Sequence, residues 1–414
     1  LRTDVFMNKK LLILETHPIQ YRAPVFQAYE RLFPGEIEVV YASDFSIRGY
    51  RDKEFANSIS WDTPLLNGYR YRVLNNLRGR GIDHWNGLAA DGVGALIRQF
   101  RPDAILLHSL NYAFSWAAYI NSKRLNIPVW IRVETQDKAF KRSRLKSLAR
   151  YFAYRLAYAG IDRAFYIGEL NREHLERHGI SRARLFPARY CTPDPLLALS
   201  IEEKAELRRR IRTELAIPES HRVIAFFGKF ISKKNPEIVL EAMRALYTGD
   251  ACAMTCLFVG SGELEDELRR SAAQLAATAG VRTVFAGFIN QSALPGYYLA
   301  SDILVLPSRK AGETWGLVVN EALQAGCAVA ASDAVGCMRD FGNWDRVRVF
   351  PAGDVAALAK HLKDLSAFER DFTWARSDMQ RYSVEETAHA FHNCLMALPK
   401  RACETRPTAF EAQR

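Results

Sequence analysis

The chain has 414 residues, 49% hydrophobic and 25% charged, with 24 Gly and 16 Pro. At roughly 100–200 residues per domain this is a globular protein of two domains, or at most three, which excludes a short peptide, a disulfide scaffold and a fibrous or disordered chain. The 57 basic residues outnumber the 46 acidic ones, for a net charge of +11, so some face of the molecule is expected to attract an anion.

In chain order, Met7 stands ahead of Asn-Lys-Lys and a strand and is the expected start. Short aliphatic runs follow at 11–14, 36–41, 104–108, 129–133 and 163–166, each leading into a helical pattern or a polar turn. Near-continuous apolar strands bounded by turns predict a parallel sheet covered on both faces, so residues 8–195 read as one α/β, Rossmann-like domain. The charged helical segment 201–215, within 196–221, is expected to be a solvated link. The rhythm then restarts, with strands at 223–227, 255–259, 281–286, 303–306 and 328–331 and helices at 238–247 and 263–276. Residues 222–370 therefore read as a second doubly wound domain. An amphipathic helix at 384–398, within 371–398, is expected to cross back to the first domain, and 399–414 reads as a disordered tail. Two such sheets leave a cleft, and ligands of doubly wound sheets bind outside the carboxyl ends of the strands.

The seven cysteines, at 191, 252, 256, 327, 337, 394 and 403, lie mostly in apolar runs, as expected of reduced, buried thiols in a cytoplasmic protein. Cys252 and Cys256 lack a second pair, so no metal site is expected there. No apolar run reaches the ~18 residues of a membrane-spanning helix, and 11–14 is too short for the core of a secretion signal.

The densest chemical signal is at 304–326. An apolar strand ends at Pro307-Ser308, a polar loop follows, and a helix starts at about Gly316 with Leu317, Val318, Ala322 and Leu323 on its apolar face. The loop delivers Glu313 to the strand's carboxyl end. The unpaired N–H groups at the helix start suit an anion such as a diphosphate, and a carboxylate at Glu321 suits the vicinal hydroxyls of a ribose. Spacing alone leaves equally open that Glu313 is a solvated loop residue and Glu321 an exposed helix position. A second cluster, 226–236, runs from a strand through Gly228 to Lys229, Lys233 and Lys234. These lysines either neutralise charge on a departing phosphate or form a solvated surface. Gly260-Ser261-Gly262 and Gly287-Phe288 either touch a nucleobase or are plain strand-to-helix turns. The absence of a third glycine after Gly262, and of any GxxxxGK[ST] sequence, argues against a nicotinamide enzyme and a P-loop ATPase.

In order, these pieces resemble the retaining glycosyltransferases of family 4, which have the two-domain GT-B fold. The likeness is strongest over 222–342. Glu313 and Glu321 match the family's E-x7-E element. The resemblance implies that Glu313 lies by the donor sugar and Glu321 holds the ribose hydroxyls, while the backbone around Thr314, Trp315, Gly316 and Leu317 approaches the diphosphate. The family's GR-x4-KG pattern maps onto Gly228, Lys229 and Lys234, which would stabilise the leaving nucleoside diphosphate. Four departures stand out. Lys229 replaces Arg, Asn235 replaces Gly, Ala328 replaces Pro, and the amino-terminal Gly-Gly loop gives way to the 17–24 stretch HPIQYRAP, which looks like a subgroup of bacterial family members. His17, His108 and Glu134, each following a strand of the first domain, are the candidate polar groups opposite the donor. Retention implies that the departing phosphate takes the acceptor's proton, so no strong base, metal or cofactor is expected besides the nucleotide sugar.

Between Lys138 and Arg155 lie seven cations and no acid, interleaved with Phe140, Leu145, Leu148, Tyr151, Phe152 and Tyr154. Such a segment either rests on an anionic membrane surface or packs its aromatics on the core with its cations solvated. The expectation is a cytoplasmic glycosyltransferase, peripheral on the inner face of the cytoplasmic membrane, with a lipid-linked or polysaccharide acceptor. The alternatives are an epimerase of the same fold and a non-catalytic glycan binder. No nucleic-acid module is present.

Overall fold

The structure, a computed structural model, describes residues 9–399 apart from 48–49, 52–57, 60–61, 79–81, 83, 141 and 247–252. The expected start at Met7, Lys141, Cys252, Cys403 and the tail beyond Pro399 lie outside the described residues.

The first domain carries β1 (Leu11–Glu15), β2 (Ile37–Tyr41), a short antiparallel pair β3 (Tyr50–Arg51) and β4 (Ser58–Ile59), β5 (Tyr71–Val73), β6 (Ala104–Leu107), β7 (Val129–Ile131), β8 (Arg163–Tyr166) and β9 (Leu185–Pro187). Its helices are α1 (Ala23–Leu32), α2 (Val93–Phe100), α3 (Ala113–Arg124), α4 (Arg144–Tyr158) and α5 (Glu169–Arg177). After α6 (Ile201–Glu214), the second domain carries β10 (Arg222–Phe227), β11 (Met254–Val259), β12 (Arg282–Gly287), β13 (Ile303–Leu306), β14 (Ala328–Ser332) and β15 (Val347–Phe350). Its helices are α7 (Glu237–Leu246), α8 (Glu265–Ala279), α9 (Leu294–Ala300), α10 (Leu317–Gln324), α11 (Met338–Phe341) and α12 (Val355–Ser366), followed by α13 (Arg376–Met379) and α14 (Val384–Met396).

Both main sheets are parallel, ordered β5-β2-β1-β6-β7-β8-β9 and β12-β11-β10-β13-β14-β15. All five residues of β1 are buried, as a strand covered on both faces requires. Leu11 pairs with Ile37 on one side and Ala104 on the other. The order of connection thus reverses at β1 and, between β11 and β13, at β10. Those two reversals open the crevices where the candidate residues lie.

The end of the chain returns to the first domain as expected. The Ser383 hydroxyl caps α14 by accepting the Glu386 N–H, the helix lies along α1, and its Phe391 ring meets Phe165 at 4.8 Å. Helix α6 is not the solvated link its charges suggested. It packs on α9, and Arg208 and Arg212 each reach the Asp302 carboxylate at 2.7 Å, so these two basic residues serve as internal ties.

The domains share a continuous apolar layer that includes Ile167, Tyr190, Trp315, Phe341 and Tyr382. Beside it, the Asp340 carboxylate accepts the Glu169 N–H at 3.1 Å and pairs with Arg189 at 3.2 Å. On another flank, the Gly312 N–H donates to the Ala139 carbonyl at 3.0 Å. Cys191, Cys256, Cys327, Cys337 and Cys394 are free and buried.

Candidate functional site

The loops after β10, β11 and β12 form one edge of the cleft. The Gly228 N–H donates to Val259 O at 3.0 Å, Phe230 N–H to Ser261 O at 2.9 Å and Gly260 N–H to Gly287 O at 2.8 Å. Gly260 has φ +139, and a Cβ there would lie 1.9 Å from the Gly228 carbonyl oxygen. Close backbone approach therefore requires this glycine. Gly228 and Gly260 also line a pocket of about 190 Å³ with Phe288, Leu317 and Glu321. Gly287 does not line it and supplies only a turn, at φ +71.

Glu321 is half-buried in that pocket, not exposed on a helix surface. Its carboxylate accepts the Tyr298 hydroxyl at 2.7 Å and the Gln291 amide at 3.2 Å. Burial pushes its pKa up against those two hydrogen bonds. Tyr298 in turn stacks on Phe227 at 4.0 Å.

Glu313 is half-buried, ion-paired with Lys234 and hydrogen-bonded by the Ser308 hydroxyl at 3.0 Å. The two residues that spacing left as loop surface thus form one charged pair at the carboxyl ends of β10 and β13. Lys229 is half-buried and Lys233 exposed. Asn235 is buried at φ +55, with its side-chain oxygen 3.0 Å from Arg309 Nε. Asparagine tolerates this left-handed conformation, which accounts for its standing at a position where the resemblance expects glycine.

Gly316, at φ +104, turns the chain into α10, and a Cβ there would sit 2.8 Å from Leu306 Cδ2. The first residues of α10, Leu317 and Val318, open onto the pocket. The Trp315 side chain points away from it. Its Nε1 donates to Asn320 at 2.8 Å, and its ring packs where a Cβ on Gly168 would come within 2.1 Å. Trp315 is a domain-to-domain packing residue. Thr314 lines a different space, a cavity of about 430 Å³ at the strand ends of the first domain.

That cavity contains a polar chain that the sequence did not reveal. His108 Nδ1 lies 3.0 Å from Glu15 Oε1, Glu15 Oε2 2.7 Å from Arg22 Nη1, and Arg22 Nη2 2.6 Å from Glu134 Oε1. Burial alone would raise Glu15, but Arg22 and His108 hold it at about 2. Glu134 is likewise lowered against burial, by Arg22, Tyr190 and Arg132. It is a carboxylate at neutral pH, unsuited to donating a proton. Burial depresses His108 and keeps it neutral. His17, brought down to about 4 by burial, sits against the Thr16 hydroxyl at 3.0 Å and the Phe45 ring. Unlike His108 and Glu134, it lines neither space.

The apolar and aromatic side chains of α4 divide between two faces. Tyr154 and Tyr158 face inward, against His174 and His178. Leu145, Leu148, Phe152 and Leu156 face solvent at 77%, 54%, 61% and 78% exposure. Among the described residues, no helix is long and apolar enough to cross a membrane.

Residues 208–381 match the family Glycosyl transferases group 1, and residues 59–190 match the Glycosyl transferase 4-like domain. The chain belongs to the GT-B glycosyltransferases of the family 4 type. Among glycosyltransferases it is 33% identical over 142 residues to an uncharacterised one of Methanocaldococcus jannaschii, covering 34% of this chain and 33% of that one. It is 30% identical over 228 residues to the D-inositol 3-phosphate glycosyltransferase of Mycobacterium tuberculosis, covering 53% and 46%. The chain thus spans a third to just under half the length of these curated relatives. The GT-B fold extends over nearly all of it. Anabaena HepE in complex with UDP and glucose superposes with a TM-score of 0.67 at 17% identity, over 94% of this chain and 100% of that one. The apo lipopolysaccharide outer core galactosyltransferase WaaB gives 0.64 at 14%, over 94% and 99%.

Proposed function

We propose that the protein transfers a sugar, with retention, from a nucleoside diphosphate sugar to a hydroxyl of a lipid-linked glycan or polysaccharide. The observation that carries this reading is the pairing of two sites. Glu321, held by Tyr298 and Gln291, stands in a pocket sized for a nucleoside, and the Lys234–Glu313 pair stands where a diphosphate and its sugar would follow. The solved neighbour bound to UDP and glucose supports a nucleotide-sugar donor.

In this scheme the Glu321 carboxylate accepts the ribose hydroxyls, and the first N–H groups of α10 meet the diphosphate. Lys229 and Lys234 compensate the negative charge that grows as the sugar–phosphate bond breaks. The departing phosphate oxygen takes the acceptor's proton. Glu134, ionised on Arg22, aligns a hydroxyl and does not act as an acid. No step calls for a metal.

The lipid-linked acceptor is supported by α4. Its Arg150, Tyr154 and Tyr158 line the acceptor cavity, and its far side bears the exposed apolar stripe among cations. One helix therefore stands between the cavity and a surface suited to anionic headgroups on the cytoplasmic face. Incubation with a panel of nucleotide sugars, with and without acceptor, tests the reaction. Acceptor-dependent release of nucleoside diphosphate is expected, whereas an isomerised donor or no turnover refutes transfer. Sedimentation with anionic vesicles tests the surface. Serine at Leu145, Leu148, Phe152 and Leu156 together is expected to abolish binding, and equal binding by this variant refutes the role of α4.

A further inference from the structure

Beyond the donor pocket lies a larger cavity of about 730 Å³, walled by α1, α6, the start of α14 and the 192–197 stretch. It shares Gln20, Thr192, Pro193 and Gln291 with the donor pocket wall. Glu313, Lys229, Lys234 and Glu134 do not line it, so it is a separate space of small-molecule size.

One basic group in its wall lacks a partner among the described residues. Lys204, on α6, is 3% exposed and lines the cavity, and its ammonium has no hydrogen bond or ion pair among the described residues. Burial lowers its pKa, Arg376 in the same wall repels it, and Asp194 attracts it from beyond pairing distance. The ammonium opens onto the cavity on an otherwise buried stem, so an anion in that space would meet a charge partly withdrawn from bulk water. The acids of the wall are largely engaged, since Asp194 accepts the Leu196 N–H at 3.0 Å and Glu385 pairs with Arg31 at 2.7 Å. Glu386 is the remaining one.

We propose that this cavity is a second ligand site for a small anion, its charged group on Lys204 and Arg376. Phosphate and carboxylate meet this requirement alike, so the class takes in sugar phosphates and sugar acids. The site is coupled to the donor pocket through Gln291, whose amide holds Glu321 at 3.2 Å.

The test is thermal unfolding of the full chain with glucose 6-phosphate or gluconate, each against sodium chloride of equal ionic strength. A saturable rise of about 3–6 °C at a hundredfold excess over Kd is expected with at least one of the two anions. Comparing the two shows whether the site prefers phosphate or carboxylate. The rise should vanish in Lys204→Met, which keeps the aliphatic stem, persist in Lys204→Arg, which keeps the charge, and persist in Lys234→Ala. Absence of a rise with both anions, or an equal rise in Lys204→Met, overturns the proposal. Loss of the rise in Lys234→Ala overturns it too, because the anion would then occupy the donor site. No turnover enters the readout, so the outcome is independent of the transfer reaction.

Discussion

Replacing Lys234 by alanine tests the assignment of the cleft most directly. In the structure its ammonium pairs with Glu313, the two side chains 20% and 15% exposed. A unit charge about 4 Å from a developing phosphate charge, at an effective dielectric constant of about 20, contributes about 4 kcal/mol. Loss of one preorganised donor to a transition-state oxyanion costs about 2.7–4 kcal/mol, or a hundred- to a thousandfold in kcat. The ground-state ion pair, by contrast, is partly exposed and contributes ~1 kcal/mol or less to stability. Lys234→Ala should therefore lose at least about a hundredfold in kcat, at saturating donor, while its urea midpoint moves little. Lys234→Arg, which keeps the charge, should recover part of the loss. The assay is release of nucleoside diphosphate with the donor found in the panel. A kcat within about fivefold of the parent, in a variant with unchanged circular dichroism, would refute the leaving-group role of Lys234.

Glu321→Gln removes the charged acceptor of the ribose hydroxyls and should weaken nucleoside diphosphate binding about tenfold or more, read by calorimetry; unchanged affinity would move the nucleoside elsewhere. Arg22→Met strands the Glu15 and Glu134 carboxylates together and should cost about 3–5 kcal/mol in urea unfolding, whereas a loss below about 1 kcal/mol would show that the chain is not coupled. Asp340, pushed by burial from its ordinary 3.8 to about 6, is protonated more readily folded than unfolded. Its contribution is present in full below the unfolded value and is lost as pH rises through the folded one. The parent should therefore lose about 1 kcal/mol relative to Asp340→Asn between about pH 5 and pH 7, and parallel pH profiles would contradict this.

Sequence periodicity located the long central strands because β1, β6 and β13 are buried throughout, as is β10 after Arg222, and each carries an apolar run. It missed β5, β9 and β15, edge strands of three or four residues whose side chains are partly exposed and therefore mixed in polarity. The proposed donor side was legible because Glu313, Gly316 and Glu321 lie within one loop and helix, so their spacing in sequence is their spacing in space. The acceptor side was not. Glu134 meets Arg22 across 112 residues, and no local pattern marks Glu15, Arg22 or Tyr190 as partners. Trp315 shows a related limit: Leu317 and Val318 just after it open onto the pocket, while its own ring is claimed by Gly168 and Asn320. The stripe on α4 was visible as composition, but which of its apolar residues faced outward depended on the tyrosines that won the inner face.

The chain passes between the two sheets twice, once between β9 and α6 and again between α13 and α14. Two bodies tethered at a single point keep three independent rotations; a second tether leaves one, about the line through both. Two crossings therefore leave the domains fewer ways to move against one another than a single one would. The Ala139–Gly312 hydrogen bond, which sits on neither tether, is a third point at which the two halves are joined.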